Sequence, residues 1–180
     1  MRSAVFLVMA VLLGASSTSP TYDLLQIEHL NSKGRVQDPE YQRQGPVMQA
    51  ILQSGKAAIP VLIDLIESER PYTGSPLDFW PEVREGDMAL IILSDLFLDP
   101  TWRQSTLPEL CWDNLLERAD SAVPAWDLLE RYIRSHGRAA LTSRWRAAWL
   151  EHETKIVWDD DGRFFKVVDR ELVPCRLTQN

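Results

Sequence analysis

Five carboxylates, Asp64, Glu67, Glu82, Glu85 and Asp87, lie close together in this chain, and no other group of its residues suggests an active site by type and spacing. Two carboxyl groups flanking a glycosidic bond can serve as acid and base, provided that one has a raised pKa and their separation is fixed. Neither condition is readable from sequence, and a solvated loop edge carries the same residue types. A small hydrolase using these carboxylates is therefore the contrasting reading. Other chemistry finds less support. His29, His136 and His152 have no His-Glu-x-x-His spacing, and Glu151-His152-Glu153 sets neighbours on different sides of a helix, so surface roles and no metal are expected. A nucleophile elbow, a phosphate-binding glycine loop and a Cys-x-x-Cys pair are all missing from the sequence, and no cofactor is expected. Asp159-Asp160-Asp161-Gly162 lacks the alternating ligands and distal Glu of a calcium loop and reads as a solvated turn.

The same carboxylates belong to a wider charge pattern. Asp64 to Asp87 holds seven acids against Arg70 and Arg84, whereas 131 to 146 holds Arg131, Arg134, Arg138, Arg144 and Arg146 with no acid. Either the two regions answer each other across the folded protein, or they make a bipolar surface; Arg131 and Arg134 also suit a helix C-terminus. Within the acidic region, Glu69 to Gly86 carries Pro71, Pro76, Pro81 and Gly74 and is the longest irregular stretch in the sequence. Connections beyond about 12 to 15 residues are uncommon in compact domains and are often functional. Its aromatics either cover the open side of a helical pair or anchor a partner. On the second reading the protein-binding residues are Tyr72, Asp78, Phe79, Trp80, Glu82 and Glu85, with aromatic anchors for affinity and charge for orientation.

Helices must position these residues. Gly55 followed by Pro60 marks one helix ending and another beginning, because Gly tolerates left-handed backbone and Pro lacks an amide that the first turn leaves unpaired. Ile59, Leu62, Ile63 and Ile66 then keep helical spacing, and Val61 and Leu65 widen the stripe until burial on most sides is expected. A second apolar helix is expected from near Asp87 through Ala89, Ile92, Leu93 and Leu96, with the Asp87 carboxylate accepting at its start. Upstream, Leu24 to Leu30 suggests a short helix, and Asp38-Pro39 starts another that Pro46 kinks or restarts. Downstream, helices are expected over Leu107 to Arg118, Val123 to Ser135 and Arg138 to Glu153, with Gly137 between the last two. The period then changes: Lys155 to Trp158 and Arg163 to Val168 around Asp-Gly read as a β-hairpin that must pack on the helices.

Gly55-x-Ala57-Ala58-Ile59-Pro60-x-Leu62-Ile63-x-Leu65-Ile66, with Val83-Arg84 and Ala89-Leu90, resembles a HEAT-type helical repeat over residues 55 to 98. The long connection and Asp87 in place of Ala depart from that pattern, and the remaining helices show no period of about 40 residues. The resemblance implies antiparallel helix pairs used for binding. The expected class is mainly α, an irregular HEAT-like array of antiparallel helices with a C-terminal β-hairpin.

Met1-Arg2, ten apolar residues from Ala4 to Leu13 and the small residues after them read as a secretory signal peptide over 1–17. The apolar run is too short to cross a bilayer of about 30 Å as a helix, so no stable membrane insertion is expected after cleavage. The expected organisation is a helical domain over 18–154, the hairpin over 155–169 and a tail over 170–180. Loss of Arg2 leaves 18 basic against 26 acidic side chains, a net charge of −8 that disfavours nucleic acid. Cys111 and Cys175 either pair in an oxidising compartment or remain buried thiols. Together these features describe a periplasmic or secreted protein-binding module with an unidentified protein partner. Size, export and acidity also suit an immunity or inhibitor protein, or an envelope scaffold.

Overall fold

The computed structural model of the chain describes residues 20–27, 45–73, 82–97, 104–111, 125–160 and 164–175, with the backbone alone at 125 and 126. The expected leader, the Asp38-Pro39 helix start, the Asp161-Gly162 turn and the loop residues Asp78, Phe79 and Trp80 lie outside them. The described residues are mainly α-helical with a few short antiparallel strands. The helices are α1 (Pro46–Ser54), α2 (Ala58–Leu65), α3 (Glu85–Phe97), α4 (Ala125–His136) and α5 (Arg138–His152). The strands are β1 (Gln104–Ser105), β2 (Ile156–Asp159), β3 (Phe164–Val167) and β4 (Val173–Pro174), paired β1 with β4 and β2 with β3.

Glycine sets both tight helix junctions. Gly55 has φ +53° and returns its amide to the Ile51 and Leu52 carbonyls, ending α1. A 3-10 turn, Gly55–Ala57, then leads into α2, where Pro60 occupies the first turn without losing a helical bond. Gly137, at φ +79°, separates α4 from α5 in the same left-handed region.

Burial places the centre of the protein at α3 and not at α2. Ala58, Ile59, Leu62, Ile63 and Ile66 are buried, but Pro60 and Asp64 on α2 face solvent. Every residue of α3 is buried, because α2, the 3-10 turn Leu24–Gln26 and β3 all pack on it. The carboxyl end of α2 meets the amino end of α3, and the two helices pack together. α5 packs on α2, and α4 packs on α5. Ile156, Phe165 and Val167 of the hairpin share one core with the helices. Phe165 packs on Phe97, with ring centroids 5.8 Å apart.

Two expected helices are shorter than the sequence suggested. Leu24–Gln26 forms only a 3-10 turn, since Ile27 turns to extended backbone and gives its carbonyl to the Tyr72 hydroxyl. Pro108–Leu110 is likewise a 3-10 turn, held at its start by Ser105 Oγ accepting the Leu107 amide. Cys111 is extended and joins Cys175 in a disulfide, so no single helix runs on from Leu107. Among the described residues no helix is long and apolar enough to cross a membrane.

Candidate functional site

The connection between α2 and α3 is closed at its base. The Gly86 amide donates to Ser68 O at 3.2 Å, Glu85 to Arg70 O at 2.9 Å and Tyr72 to Val83 O at 2.9 Å, and Pro71 bridges Arg84. These bonds make a short ladder at the base of the connection. Two of the six sequence-selected residues help to build that ladder. Tyr72 is half-buried, and its hydroxyl donates to Ile27 O at 2.7 Å. Glu85 is 1% exposed and accepts from Ser68 Oγ at 2.6 Å and Arg70 Nη1 at 3.2 Å, so its carboxylate faces inward and is closed to an outside partner. Glu82 is exposed and has no partner among the described residues.

The acidic and basic stretches meet. Arg138, whose side chain is 9% exposed, donates from Nη2 to Asp87 Oδ1 at 2.7 Å and from Nε to Glu69 Oε1 at 3.1 Å. Glu69 also pairs with Arg84, and Arg146 reaches Asp64 at 2.6 Å. Asp87 Oδ2 accepts the Arg84 amide at 2.8 Å, which ties the start of α3 as a capping carboxylate does. A polar cleft of about 360 Å³ lies among Glu69, Glu82, Arg84, Asp87, Arg134 and Arg138. Arg138 and Arg146 of the basic stretch thus pair with Asp87, Glu69 and Asp64 of the acidic one. Asp64, Glu85 and Asp87 are each held by a guanidinium, while Glu67 and Glu82 are exposed. Among the described residues no group of three or more His, Cys, Asp or Glu side chains is placed to hold a metal ion. His136 stacks on Tyr132, and His152 lies beside Arg170.

A second concavity, of about 610 Å³, was not indicated by any motif. Ile51, Leu52, Leu96, Trp158 and Phe165 line it, between α1, the end of α3 and the hairpin. Lys56 stands at its edge with its charge already engaged. Its ammonium donates to Ile156 O at 3.1 Å and to Glu153 O, and lies 5.8 Å from the Trp149 ring centroid. Trp158 is 37% exposed, whereas Ile156, Phe165 and Val167 on the same sheet face are buried. The alternation that marks Trp158 as a hairpin residue was readable from sequence. The gap beside it depends on how α1 and β2, about 100 positions apart, come together.

Comparison of the chain with known protein families, curated proteins and solved structures gives no match.

Proposed function

We propose that the chain is an exported helical protein-binding module, carried outward by a leader over residues 1–17, that presents the α2–α3 connection to a protein partner. In this reading α2 and α3 form one antiparallel pair of an irregular HEAT-like array. The observation that carries the reading is the closed base of the connection. Three backbone hydrogen bonds and the buried Glu85 carboxylate fix the points from which residues 74–81 depart. A connection anchored at both ends lowers the ordering cost of any contact it makes. Phe79 and Trp80 serve as anchors, Asp78 and Glu82 orient a basic partner surface, and Tyr72 and Glu85 hold the base. Pairing of Asp64, Glu85 and Asp87 with arginines favours binding over carboxylate catalysis. The Cys111–Cys175 disulfide supports an oxidising compartment. An immunity or inhibitor protein acting on an enzyme, or an envelope scaffold, fits this module.

The test is affinity capture of the mature protein from envelope extract, with partners identified by mass spectrometry. The double variant Phe79→Ala/Trp80→Ala is expected to lose the captured partner and to keep its thermal midpoint within about 3 °C, a shift on the scale of 1 kcal/mol for a chain of this size. A much larger fall in the midpoint would place both aromatics in the core and remove them from the binding surface.

A further inference from the structure

The register of the hairpin leaves backbone groups on one strand edge, beside the apolar groove, without a partner among the described residues. Ile156 faces Val167, Val157 faces Lys166, Trp158 faces Phe165 and Asp159 faces Phe164. The Val168 amide donates to Lys155 O at 3.0 Å, which fixes the alternation: 157/166 and 159/164 exchange hydrogen bonds, while the backbone groups of 156, 158, 165 and 167 point away from the partner strand. Two contacts agree with this. Ile156 O accepts Lys56 Nζ from outside the hairpin, and the Val167 amide donates outward to Thr106 Oγ1 at 3.0 Å. Among the described residues, Lys56 therefore meets the outer edge of β2 at Ile156. Two positions further on, the Trp158 amide and carbonyl point out of the same edge, with no partner among the described residues.

That edge runs along the groove. Lys56 reaches β2 from the 3-10 turn after α1, and α1 and Trp158 of β2 both line the space, together with Leu96 and Phe165. An occupant that satisfies this site carries a backbone donor and acceptor at β spacing and places one side chain into the groove. That side chain is apolar and uncharged, because the lining is mostly apolar, its polar side chains are the neutral Gln49 and Gln53 and the cation Lys56, and Lys56 is already bound to two carbonyls. The incomplete burial of Trp158, on a face whose other members are buried, marks the space it fills.

We propose that the outer edge of β2 at Trp158 pairs with an extended segment of a partner polypeptide, one of whose apolar side chains occupies the groove. Backbone pairing supplies affinity and the groove selects the side chain, as in other strand-addition contacts. The inference rests on the reading of the chain as a protein-binding module but uses a surface apart from the α2–α3 connection. Leu96 in the groove and Asp87 in the polar cleft are nine helical residues apart on α3, roughly 14 Å along its axis.

The test uses capped five-residue peptides of alternating threonine and valine whose central residue is alanine, leucine, phenylalanine, lysine or glutamate. Binding is read by tryptophan fluorescence and by amide hydrogen exchange of the mature protein. At least one apolar-centred peptide is expected to saturate the fluorescence change and to slow exchange at the Trp158 amide at least roughly tenfold, with the lysine and glutamate peptides weaker. N-methylation of the central amide removes the donor to Trp158 O and is expected to weaken binding roughly tenfold, the effect of one lost hydrogen bond. Unchanged exchange at Trp158 with every peptide at about 1 mM overturns the proposal, as does equal affinity of the N-methylated peptide. The Phe79→Ala/Trp80→Ala variant is expected to bind the peptides as the parent does. Peptide binding without any captured partner would count against the α2–α3 connection alone, and capture without peptide binding would count against the β2 edge alone.

Discussion

Gly86 shows how a single residue fixes the start of α3. Its backbone is ordinary helix, and in a helix alanine is favoured over glycine by about 1 kcal/mol. Here a Cβ would stand 2.3 Å from Ile66 O, 2.9 Å from Ser68 O and 3.0 Å from Arg138 Nη1. The first two atoms are backbone, so relief requires α2 to move away from α3, and such overpacking costs roughly 1–3 kcal/mol or more. Steric cost exceeds propensity. Gly86→Ala is expected to destabilise the protein by about 2 kcal/mol, seen as a lower urea midpoint at an unchanged m-value; a neutral or stabilising result would mean that the approach of the two helices is looser than this. The need for glycine at position 86 was not legible in the sequence, because Gly86 reads there as the last residue of the irregular stretch, whereas the helix already begins at Glu85. The inward roles of Glu85 and Tyr72 were equally hidden. Their residue types suit a surface, and their partners lie 15 to 45 positions away in sequence.

The element furthest along the chain depends on contacts with the segment around β1. β4 pairs with β1, Arg170 bonds Glu109 at 2.7 Å, the Val167 amide reaches Thr106, and Cys111 is joined to Cys175. A two-stranded hairpin is marginal in water, so this clamp and the packing of Phe165 on Phe97 are what hold β2 and β3 in place. The disulfide closes a 64-residue separation, for which chain entropy gives about 4 kcal/mol as an upper figure. Because the other contacts persist without it, Cys111→Ser/Cys175→Ser is expected to lose about 2–4 kcal/mol and roughly 10 °C in thermal midpoint while remaining folded. An unchanged midpoint, in the variant or in the reduced parent, would show that the bond adds nothing to the clamp. At this scale the sequence was informative wherever a residue acts locally. Gly55 and Gly137 end helices because of their own backbone freedom, and the change of period after residue 155 gives the hairpin. It was misleading at Leu24 and Leu107, where helical spacing is present but a tertiary hydrogen bond from Tyr72 to Ile27 O and a local one from the Leu107 amide to Ser105 Oγ direct the backbone elsewhere.

Across the whole molecule, the opposed charge of 64–87 and 131–146 was plain in the sequence, and only the fold says how the charges are used. Signs and counts are local properties, whereas pairing depends on α5 packing over α2, which no local pattern specifies. The apolar groove is beyond the sequence for the same reason. Two pairs joining the two charged stretches differ in one respect that decides their energetic weight. Arg138 and Asp87 have side chains 9% and 2% exposed, whereas Arg146 and Asp64 are 50% and 69% exposed. An exposed pair gains little because water and salt screen it, so Arg146→Met is expected to change stability by no more than about 0.5 kcal/mol. Arg138→Met leaves the buried Asp87 carboxylate with the Arg84 amide alone among the described residues, and breaking a buried pair from one side costs about 3–5 kcal/mol. Urea denaturation in low and high salt separates the two contributions. The Arg138 loss is expected to persist in about 0.5 M salt, where the Debye length is only a few ångströms, and any Arg146 loss is expected to vanish. Equal losses for the two variants, both abolished by salt, would mean that Arg138 is as solvated as Arg146 and that the joint between α3 and α5 rests on apolar packing alone.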